Sequence, residues 1–387
     1  MWASRQSGCI LGKVDHMRVL ILANYDAGLY KFRRELLEAL IKEHEVFFCV
    51  PDGEYVEHIK ALGCQYVPCD LLNRHGTNPL AELKLLMLYK KYIKDLVPDV
   101  VLTYTIKPNI YGGMACAGMG VPYIANVTGL GTAVENPGVM QKVAVSLYRY
   151  GLRKARRVYF QNEENLDFML KRHMIRGAYS LLPGSGVNLM QFQLMEYPPE
   201  DRVEFAFISR VMKEKGIEQY LEAARFIREK YPHTIFHICG AYEQDYKVQI
   251  DRLQSDGVVV YHGIVQNMAE IYEKIACTVH PTYYPEGMSN VLLESCACGR
   301  PIITTGRAGC REIVDDGVNG YTVKQQDSND LIEKMEKFLA LNWDERRQMG
   351  LSGRKLVEQK FDRQIVIDAY MKEIRKIEEI EWYRENL

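Results

Sequence analysis

Short segments that are apolar throughout alternate with longer segments of helical periodicity from Met17 onwards, and this alternation constrains the fold more than any other feature. Strands of this kind are buried on both faces, which is typical of a parallel sheet covered by helices. The first half of the chain holds such segments at 18–23, 45–50, 65–69, 99–104, 122–127 and 157–161. The sequence therefore predicts one doubly wound α/β domain over residues 17–184.

Proline, glycine and acidic residues interrupt this periodicity after residue 180, and we place a linker at 185–202. A second series of apolar segments follows at 203–210, 235–240, 258–263, 277–281 and 301–305. It predicts a second Rossmann-like domain over 203–361, followed by a terminal helix over 362–387. Residues 1–16 lack the apolar core of a signal peptide and are expected to form a loose extension.

Composition narrows the class of protein. The 387 residues carry a net charge of −1, which argues against a general nucleic-acid binder. The ten cysteines are scattered through mostly apolar segments, as in reduced cytosolic proteins, and Cys296 and Cys298 have no neighbouring pair that would complete a zinc site. No run of eighteen apolar residues is present, so we expect a cytoplasmic protein without a membrane span.

The stretch 281–299 carries the strongest functional signal, because an apolar strand leads there through a loop directly into a helix. Glu286 stands at the mouth of the loop and Glu294 lies eight positions later. Gly287 lets the backbone approach a ligand, and the helix start formed by Met288, Ser289 and Asn290 is suited to an anion such as a diphosphate. This arrangement fits a nucleotide-sugar, although the spacing of the glutamates alone also fits a solvated pair.

Arg210 lies just past an apolar strand, and Lys215 precedes the next helix. Two cations that flank a helix N-terminus can neutralise a pyrophosphate. A solvated basic turn is the alternative interpretation of the same residues.

Both segments resemble a known family. The run EGMSNVLLESCACGRPII resembles the E-x7-E signature of family 4 of the retaining GT-B glycosyltransferases. The resemblance implies that Glu286 contacts the donor sugar and that Glu294 binds the ribose hydroxyls. The run SRVMKEKG resembles the family's G-R-x4-K-G element, with Ser209 in place of the glycine, and implies that Arg210 and Lys215 hold the donor diphosphate.

Two further segments extend this resemblance. PGSGVNLMQF is similar to the family's G-V-D-x3-F element, with Asn188 in place of the aspartate, and YHGIVQ places Gly263 and Val265 like the loop that binds the base. The family resemblance implies a GT-B fold, in which two Rossmann-like domains face a cleft and the terminal helix crosses back to the first domain. Ligands of such sheets bind at the carboxyl ends of the strands.

Three loops of the first domain resemble a subgroup that extends lipid-linked oligosaccharides, namely the bacterial N-acetylgalactosaminyltransferases of protein glycosylation, capsule and O-antigen synthesis. These loops contribute Gly28, Arg74, Thr128 and Gly129, which we assign to the acceptor or diphosphate side. Thr128 stands where many members carry a histidine beside the donor sugar, so a mechanism that needs that imidazole is in doubt.

No D-x-D sequence is present, so we expect neither a metal ion nor another cofactor. Arg210, Lys215 and the helix dipole would then stabilise the departing nucleoside diphosphate. The family retains the anomeric configuration, and no dedicated nucleophile stands out in this sequence.

Residues 81–160 hold eleven basic and four acidic residues, and the predicted helix at 137–157 combines an apolar face with a cationic end. One interpretation is an ordinary amphipathic helix packed on its sheet. The other is a surface that rests on anionic lipid beside a polyprenyl-linked acceptor, at the inner face of the cell membrane.

The sequence thus predicts a retaining glycosyltransferase that moves a hexose or N-acetylhexosamine from a nucleotide-sugar, with UDP as the expected nucleotide, to a glycan or polyprenyl-linked glycolipid. The expected partners are this donor, this acceptor and an anionic membrane, and not nucleic acid. Two alternatives stay open: a nucleotide-sugar epimerase or hydrolase on the same scaffold, and a non-catalytic glycan-binding protein.

Overall fold

The computed structural model describes residues 16–72, 78–131, 134, 138–285 and 287–386. Its first domain is a parallel sheet in the order β3-β2-β1-β4-β5-β6-β7. The strands are β1 (Arg18–Leu22), β2 (Glu45–Val50), β3 (Gln65–Pro68), β4 (Val100–Tyr104), β5 (Tyr123–Val127), β6 (Arg157–Phe160) and β7 (Ala178–Leu181).

Helices cover both faces of this sheet, as the apolar strands require. They are α1 (Asp26–Leu40), α2 (Val56–Ala61), α3 (Pro79–Leu96), α4 (Gly113–Met119), α5 (Val139–Leu152) and α6 (Glu163–Lys171), with a π turn at Pro108–Gly112 before α4. One buried cluster lies under α3, α4, α5 and α6. The other lies under α1 and α2 on the opposite face.

The second domain repeats this plan with a parallel sheet in the order β10-β9-β8-β11-β12-β13. Its strands are β8 (Val203–Ile208), β9 (Thr234–Cys239), β10 (Val260–Gly263), β11 (Cys277–His280), β12 (Ile302–Thr305) and β13 (Gly320–Val323). Its helices are α7 (Ile217–Lys230), α8 (Lys247–Ser255), α9 (Ala269–Lys274), α10 (Asn290–Ala297), α11 (Ser328–Leu339) and α12 (Trp343–Lys360).

The two sheets confirm the predicted pair of doubly wound domains, and every apolar segment named above forms a strand. The structure adds β7 and β13, which the sequence did not predict. The side chains of β7 are mostly exposed because it is an edge strand, and β13 has the sequence GYTV, in which only the tyrosine and the valine are apolar. Neither strand therefore presents the apolar run that identified the others.

The terminal helix α13 (Arg363–Asn386) crosses back to the first domain, as expected for this fold. Its apolar side joins the core cluster beneath α1. At its centre, the buried Tyr370 packs on Tyr159 with ring centroids 4.9 Å apart, and its hydroxyl accepts a hydrogen bond from the Asn126 side chain at 2.8 Å. The chain that leaves the second domain thus becomes part of the core of the first.

Tyr370→Ala is expected to lower the free energy of unfolding by about 3–5 kcal/mol, because it removes a large, fully buried ring. Tyr370→Phe keeps the ring and loses only the Asn126 hydrogen bond, so we expect about 1 kcal/mol. Urea denaturation followed by circular dichroism measures both values. Tyr150→Ala is the matched control, since Tyr150 is 51% exposed on α5. Equal stability of the Tyr370→Ala and Tyr150→Ala proteins would contradict a structural role for α13.

Candidate active site

The loops that follow β8, β9, β10 and β11 lie at one edge of the second sheet, because the strands are parallel and end on the same side. This edge faces the first domain, where the loops after β5 and β6 reach across. Most of the residues predicted for the site lie on these loops. Glu286 and Arg74 lie outside the described residues.

Arg210 and Lys215 converge on one aromatic ring. The Arg210 guanidinium carbon lies 5.5 Å and the Lys215 Nζ lies 4.7 Å from the centre of the Tyr284 ring. Arg210 also pairs with Glu243 at 3.3 Å, whereas Lys215 is buried. Tyr284 thus holds two positive charges together beside the loop that leads into α10.

The backbone fixes this arrangement. Gly216 adopts φ = +81°, and a Cβ at this position would lie 2.2 Å from the Pro281 carbonyl oxygen. Only glycine permits this close approach. The Tyr283 N–H donates to the Glu214 carbonyl at 2.9 Å, so the turn that carries Lys215 is bound to the loop that carries Tyr284.

Gly287 forms a close contact between the two domains. A Cβ on Gly287 would lie 2.0 Å from the Thr128 carbonyl oxygen, and the Asn162 side-chain amide donates to the Gly287 carbonyl at 2.6 Å. Gly129 lies beside the same loop, because a Cβ there would be 3.8 Å from the Gly287 nitrogen. The structure therefore brings Thr128 and Gly129 of the first domain to the predicted donor loop.

The residues at the start of α10 have more hydrogen-bond and packing partners within the protein than the sequence predicted. The Ser289 N–H donates to the Gly309 carbonyl at 2.8 Å, so the expectation that this amide is free for an anion is wrong. Met288 is buried against Gly184, and the Asn290 side chain accepts a hydrogen bond from Ser185. A bound phosphate would meet the amides that follow Ser289 in the first turn of the helix.

Glu294 lies within α10 and is largely buried. Burial raises the pKa of its carboxyl to about 7, while the Tyr272 hydroxyl, which donates at 3.3 Å, and the charges of Arg363 and Lys31 act in the opposite direction. Lys31 is on α1 and Arg363 begins α13. The electrostatic environment of Glu294 is therefore set by residues from both sides of the cleft.

The predicted base loop lies next to this carboxyl. Gly263 adopts φ = +66°, and its carbonyl accepts from the Gly240 N–H at 2.7 Å. Val265 packs on the buried cluster that contains Tyr272, the hydrogen-bond partner of Glu294. A nucleotide whose ribose meets Glu294 would thus place its base near Gly263 and Val265.

Gly28 lies in the first turn of α1, at the cleft edge of the first domain, and its Cα faces the Tyr25 ring. Its backbone is helical, so the local conformation does not require glycine. Lys31, one turn further along α1, is one of the two residues whose charges act on Glu294; the other is Arg363. The structure places Gly28 on the first-domain side of the cleft without giving it a contact that only glycine allows.

Four residues of this region were not found from the sequence: Tyr272, Tyr284, Asn162 and Arg363. Only two of them had a signal in the sequence: Tyr284 lies two positions before the E-x7-E element, and Asn162 follows a predicted strand.

Among the residues that the structure describes, no group of three histidine, cysteine or acidic side chains is placed to hold a metal ion. Burial raises the pKa of both Cys296 and Cys298 to about 12.

Comparison with known proteins agrees with this geometry. A family model described as "Glycosyl transferase 4-like" matches residues 18–162, and one described as "Glycosyl transferases group 1" matches residues 196–356. The fold is shared with the crystal structure of Anabaena Alr3699/HepE in complex with UDP and glucose, with a TM-score of 0.77 and 17% identity over 93% of this chain and 100% of that one. The chain is therefore a glycosyltransferase of the GT-B fold, with a 4-like first domain and a group 1 second domain.

Two known relatives indicate which glycosyltransferases this chain resembles. The chain is 26% identical over 375 residues, 92% of its length and 98% of the relative's, to the N,N'-diacetylbacillosaminyl-diphospho-undecaprenol alpha-1,3-N-acetylgalactosaminyltransferase of Campylobacter jejuni. It is 29% identical over 47% of its length, and 50% of the relative's, to the capsular polysaccharide biosynthesis glycosyltransferase CapM of Staphylococcus aureus. These relatives confirm the predicted subgroup.

The pKa of Glu294 makes stability depend on pH. Because the folded carboxyl has a pKa near 7 and an unfolded one near 4.5, the folded protein binds the additional proton between these values, and stability falls as the pH rises through this window. Glu294→Gln removes the buried charge. It is expected to stabilise the protein at pH 8 by about 1–3 kcal/mol relative to the parent, with little change at pH 5.

Urea denaturation of the parent and Glu294→Gln proteins at both pH values measures this difference. Glu273→Gln, at an exposed position on α9, is the matched control. A Glu294→Gln protein that gains no stability at pH 8 relative to pH 5 would show that the carboxyl is not held in the buried environment described here.

Proposed function

We propose that this glycosyltransferase moves a hexose or N-acetylhexosamine from a UDP-sugar, with retention of configuration, to a hydroxyl of a glycan carried on polyprenyl diphosphate. The convergence of Arg210 and Lys215 on Tyr284, beside the start of α10, carries the proposal. The Campylobacter relative is named for an undecaprenyl-diphosphate-linked acceptor, and the Anabaena protein of the same fold was solved with UDP and glucose.

The two cations account for departure of the nucleoside diphosphate. Negative charge develops on the leaving phosphate as the glycosidic bond breaks, and charges that are already in place stabilise that state more than the ground state. Tyr284 and the Gly216 turn hold Arg210 and Lys215 before the donor arrives. We also propose that these cations take the role of a divalent ion, so that turnover needs no metal.

The contact between Gly287 and Thr128 supports a shared site for donor and acceptor. Because the Thr128 carbonyl lies directly against Gly287, an acceptor on the first domain would reach the donor sugar beside this loop. Thr128 replaces the family's histidine, and this contact uses its backbone oxygen. The side chain at position 128 is therefore not what joins the domains here.

Product analysis tests the function. The protein is incubated with UDP-N-acetylgalactosamine, UDP-N-acetylglucosamine, UDP-galactose or UDP-glucose, with and without a farnesyl-diphosphate-linked N-acetylhexosamine. A transferase extends the acceptor, with an α linkage that nuclear magnetic resonance identifies. Complete conversion or hydrolysis of the sugar without acceptor would instead indicate the epimerase or hydrolase, and UDP binding without any product would indicate a glycan-binding protein.

Arg210→Ala and Lys215→Ala are each expected to lower kcat on the order of 100-fold or more, because each removes a charge that meets the developing phosphate charge. Lys213→Ala is the matched control, since Lys213 lies on the same turn but is exposed and pairs with Glu218 at 3.5 Å. Thermal unfolding of each variant separates loss of activity from loss of fold. Parental turnover in both cation variants would place the phosphate site elsewhere.

We further propose that one face of the first domain rests on an anionic membrane at its cytoplasmic side. Along the described part of the chain, none of the helices is long and apolar enough to cross a bilayer. On α5, however, Val139, Met140 and Val143 are 77%, 54% and 48% exposed. On α3, Leu80, Leu83 and Met87 are 70%, 56% and 58% exposed.

The two helices pack on the same core cluster, so they cover the same side of the first sheet. A groove of about 550 Å³ runs along α5 between Val139 and Tyr150. Exposed apolar side chains interspersed with Lys84, Lys90 and Lys142 suit a surface that inserts shallowly among anionic headgroups.

The charges expected at the end of α5 act differently from the sequence-based hypothesis. Arg156 and Arg157 both pair with Glu373 of α13, at 3.3 and 2.9 Å, so they fasten the terminal helix to the first domain. Arg153 packs over the Tyr150 ring at 3.9 Å. The predicted helix over 137–157 ends at Leu152, and the interpretation of its basic end as a free cationic surface is wrong for Arg156 and Arg157, which follow α5.

Replacement of Leu80, Leu83, Val139 and Val143 by serine is expected to abolish most binding to phosphatidylglycerol vesicles, since each apolar side chain contributes about 1 kcal/mol or more on burial. Co-sedimentation with these vesicles and with phosphatidylcholine vesicles measures it. The control replaces Val248 and Ile264, which are 79% and 66% exposed on the second domain. Equal sedimentation of the quadruple variant and the parent would remove the membrane from the proposal.

A further inference from the structure

Three titratable side chains form a hydrogen-bonded chain across the second sheet, outside the contacts described above. The Glu204 carboxylate of β8 lies 2.7 Å from His237 Nε2 of β9, and His237 Nδ1 lies 2.9 Å from His262 Nε2 of β10. Glu204 and His237 are buried, and His262 is exposed at the edge strand. We call these three residues the Glu204–His262 chain.

This chain ends beside the predicted base loop. His262 directly precedes Gly263, whose carbonyl accepts from the Gly240 N–H, and the neighbouring Tyr261 hydroxyl donates to the Gly240 carbonyl at 3.0 Å. β10 is an edge strand with a break in its pairing with β9 between Tyr261 and Gly263. Few backbone hydrogen bonds therefore fix the end of β10, and the imidazole contact adds a side-chain tether at that point.

We propose that the Glu204–His262 chain positions the Gly263 loop for the donor base, with His262 as a positioning residue, and that its double protonation releases the loop. The inference rests on the proposed UDP-sugar site. It adds a pH-dependent contribution to donor affinity that is separate from that of Glu294, whose carboxyl has a pKa of about 7.

The proton inventory explains the release. The ionised Glu204 carboxylate accepts a hydrogen bond from His237 Nε2–H. A single proton between His237 Nδ1 and His262 Nε2 is then enough to form the hydrogen bond between the two rings. When both rings are protonated, two N–H groups face each other and the bond is lost. Burial opposes ionisation of Glu204, but the hydrogen bond and charge of His237 outweigh it and lower the pKa of this carboxyl.

The surrounding charges favour release at acid pH rather than at neutral pH. Burial lowers the pKa of His262, and the charges of His237 and Lys274 lower it further. This ring therefore stays neutral until the pH falls below the ordinary pKa of a histidine. Lys274 ends α9, which packs over this side of the sheet, and Arg202 lies 3.9 Å from Glu204. Both cations disfavour a second positive charge on the imidazole pair.

Isothermal titration of UDP at pH 8 and pH 5.5 tests the proposal. The parent is expected to lose about fivefold more affinity than His262→Gln on going to pH 5.5, because the glutamine amide can donate or accept and does not titrate. Titration of UDP itself and of Glu294, which both proteins contain, affects the two proteins equally. At pH 8, His262→Ala is expected to bind UDP about fivefold more weakly than the parent, and His262→Gln nearly as well as the parent.

His233→Gln, at an exposed histidine before β9, is the matched control and should keep the parental pH dependence. Hydrogen exchange of the 258–268 segment, corrected for intrinsic rates, gives a readout without donor: protection should fall in His262→Ala at pH 8 and in the parent at pH 5.5. Equal protection and equal UDP affinity in the parent and His262→Ala would overturn the proposal. Absence of UDP binding in the parent would count against the proposed donor. The exchange measurement would still decide whether the Glu204–His262 chain holds the loop.

Discussion

The ion pair between Arg363 and Glu35 is the interaction on which the cleft depends. Arg363 Nη1 lies 2.6 Å from the Glu35 carboxylate, its Nη2 donates to the Gly186 carbonyl at 3.2 Å, and its side chain is only 8% exposed. It thus joins α1, the linker and the start of α13 at one point. A buried pair of this kind adds little net stability, but the loss of one partner is costly, because the other charge stays buried. Its main contribution is to fix how the domains face each other, and its charge also acts on Glu294.

Glycine backbone completes the cleft where side chains would keep the domains apart. Gly287 against Thr128 is such an approach between the domains, and Gly216 against Pro281 is an approach between two loops of the second domain that a Cβ would also block. These contacts leave the space in front of Tyr284 to the two cations. The site is therefore built from close backbone packing around a small set of charges, which is the arrangement that phosphate departure requires.

The sequence predicted the two sheets because strands buried on both faces must be apolar throughout, and it located Arg210, Lys215 and Glu294 through motifs that resemble those of a known family. It could not predict partners that are distant in the chain. That Arg156 and Arg157 bind Glu373 depends on where α13 returns, and that Ser289 N–H is occupied depends on the Gly309 carbonyl. Nothing in the sequence distinguishes Tyr284 from an ordinary loop tyrosine, because only the fold brings both cations to its ring.

Two of the three departures from the family's motifs, at Ser209 and Asn188, have physical explanations. Ser209 replaces a glycine, yet its φ is not positive, and the close approach at this turn is made by Gly240, whose Cβ would lie 1.8 Å from the Ser209 carbonyl oxygen. Serine is therefore tolerated at 209, whereas a side chain at 240 is not.

Asn188 replaces an aspartate, and its Oδ1 accepts from the N–H groups of Met190 and Gln191, at 2.9 and 3.0 Å, as an aspartate would. Its Nδ2 also donates to Glu35, the partner of Arg363. An aspartate at 188 would bring a second negative charge to this partly buried carboxylate and leave one of the two short of a donor. An asparagine at 188 is therefore more compatible than an aspartate with the Arg363–Glu35 ion pair that holds the domains together.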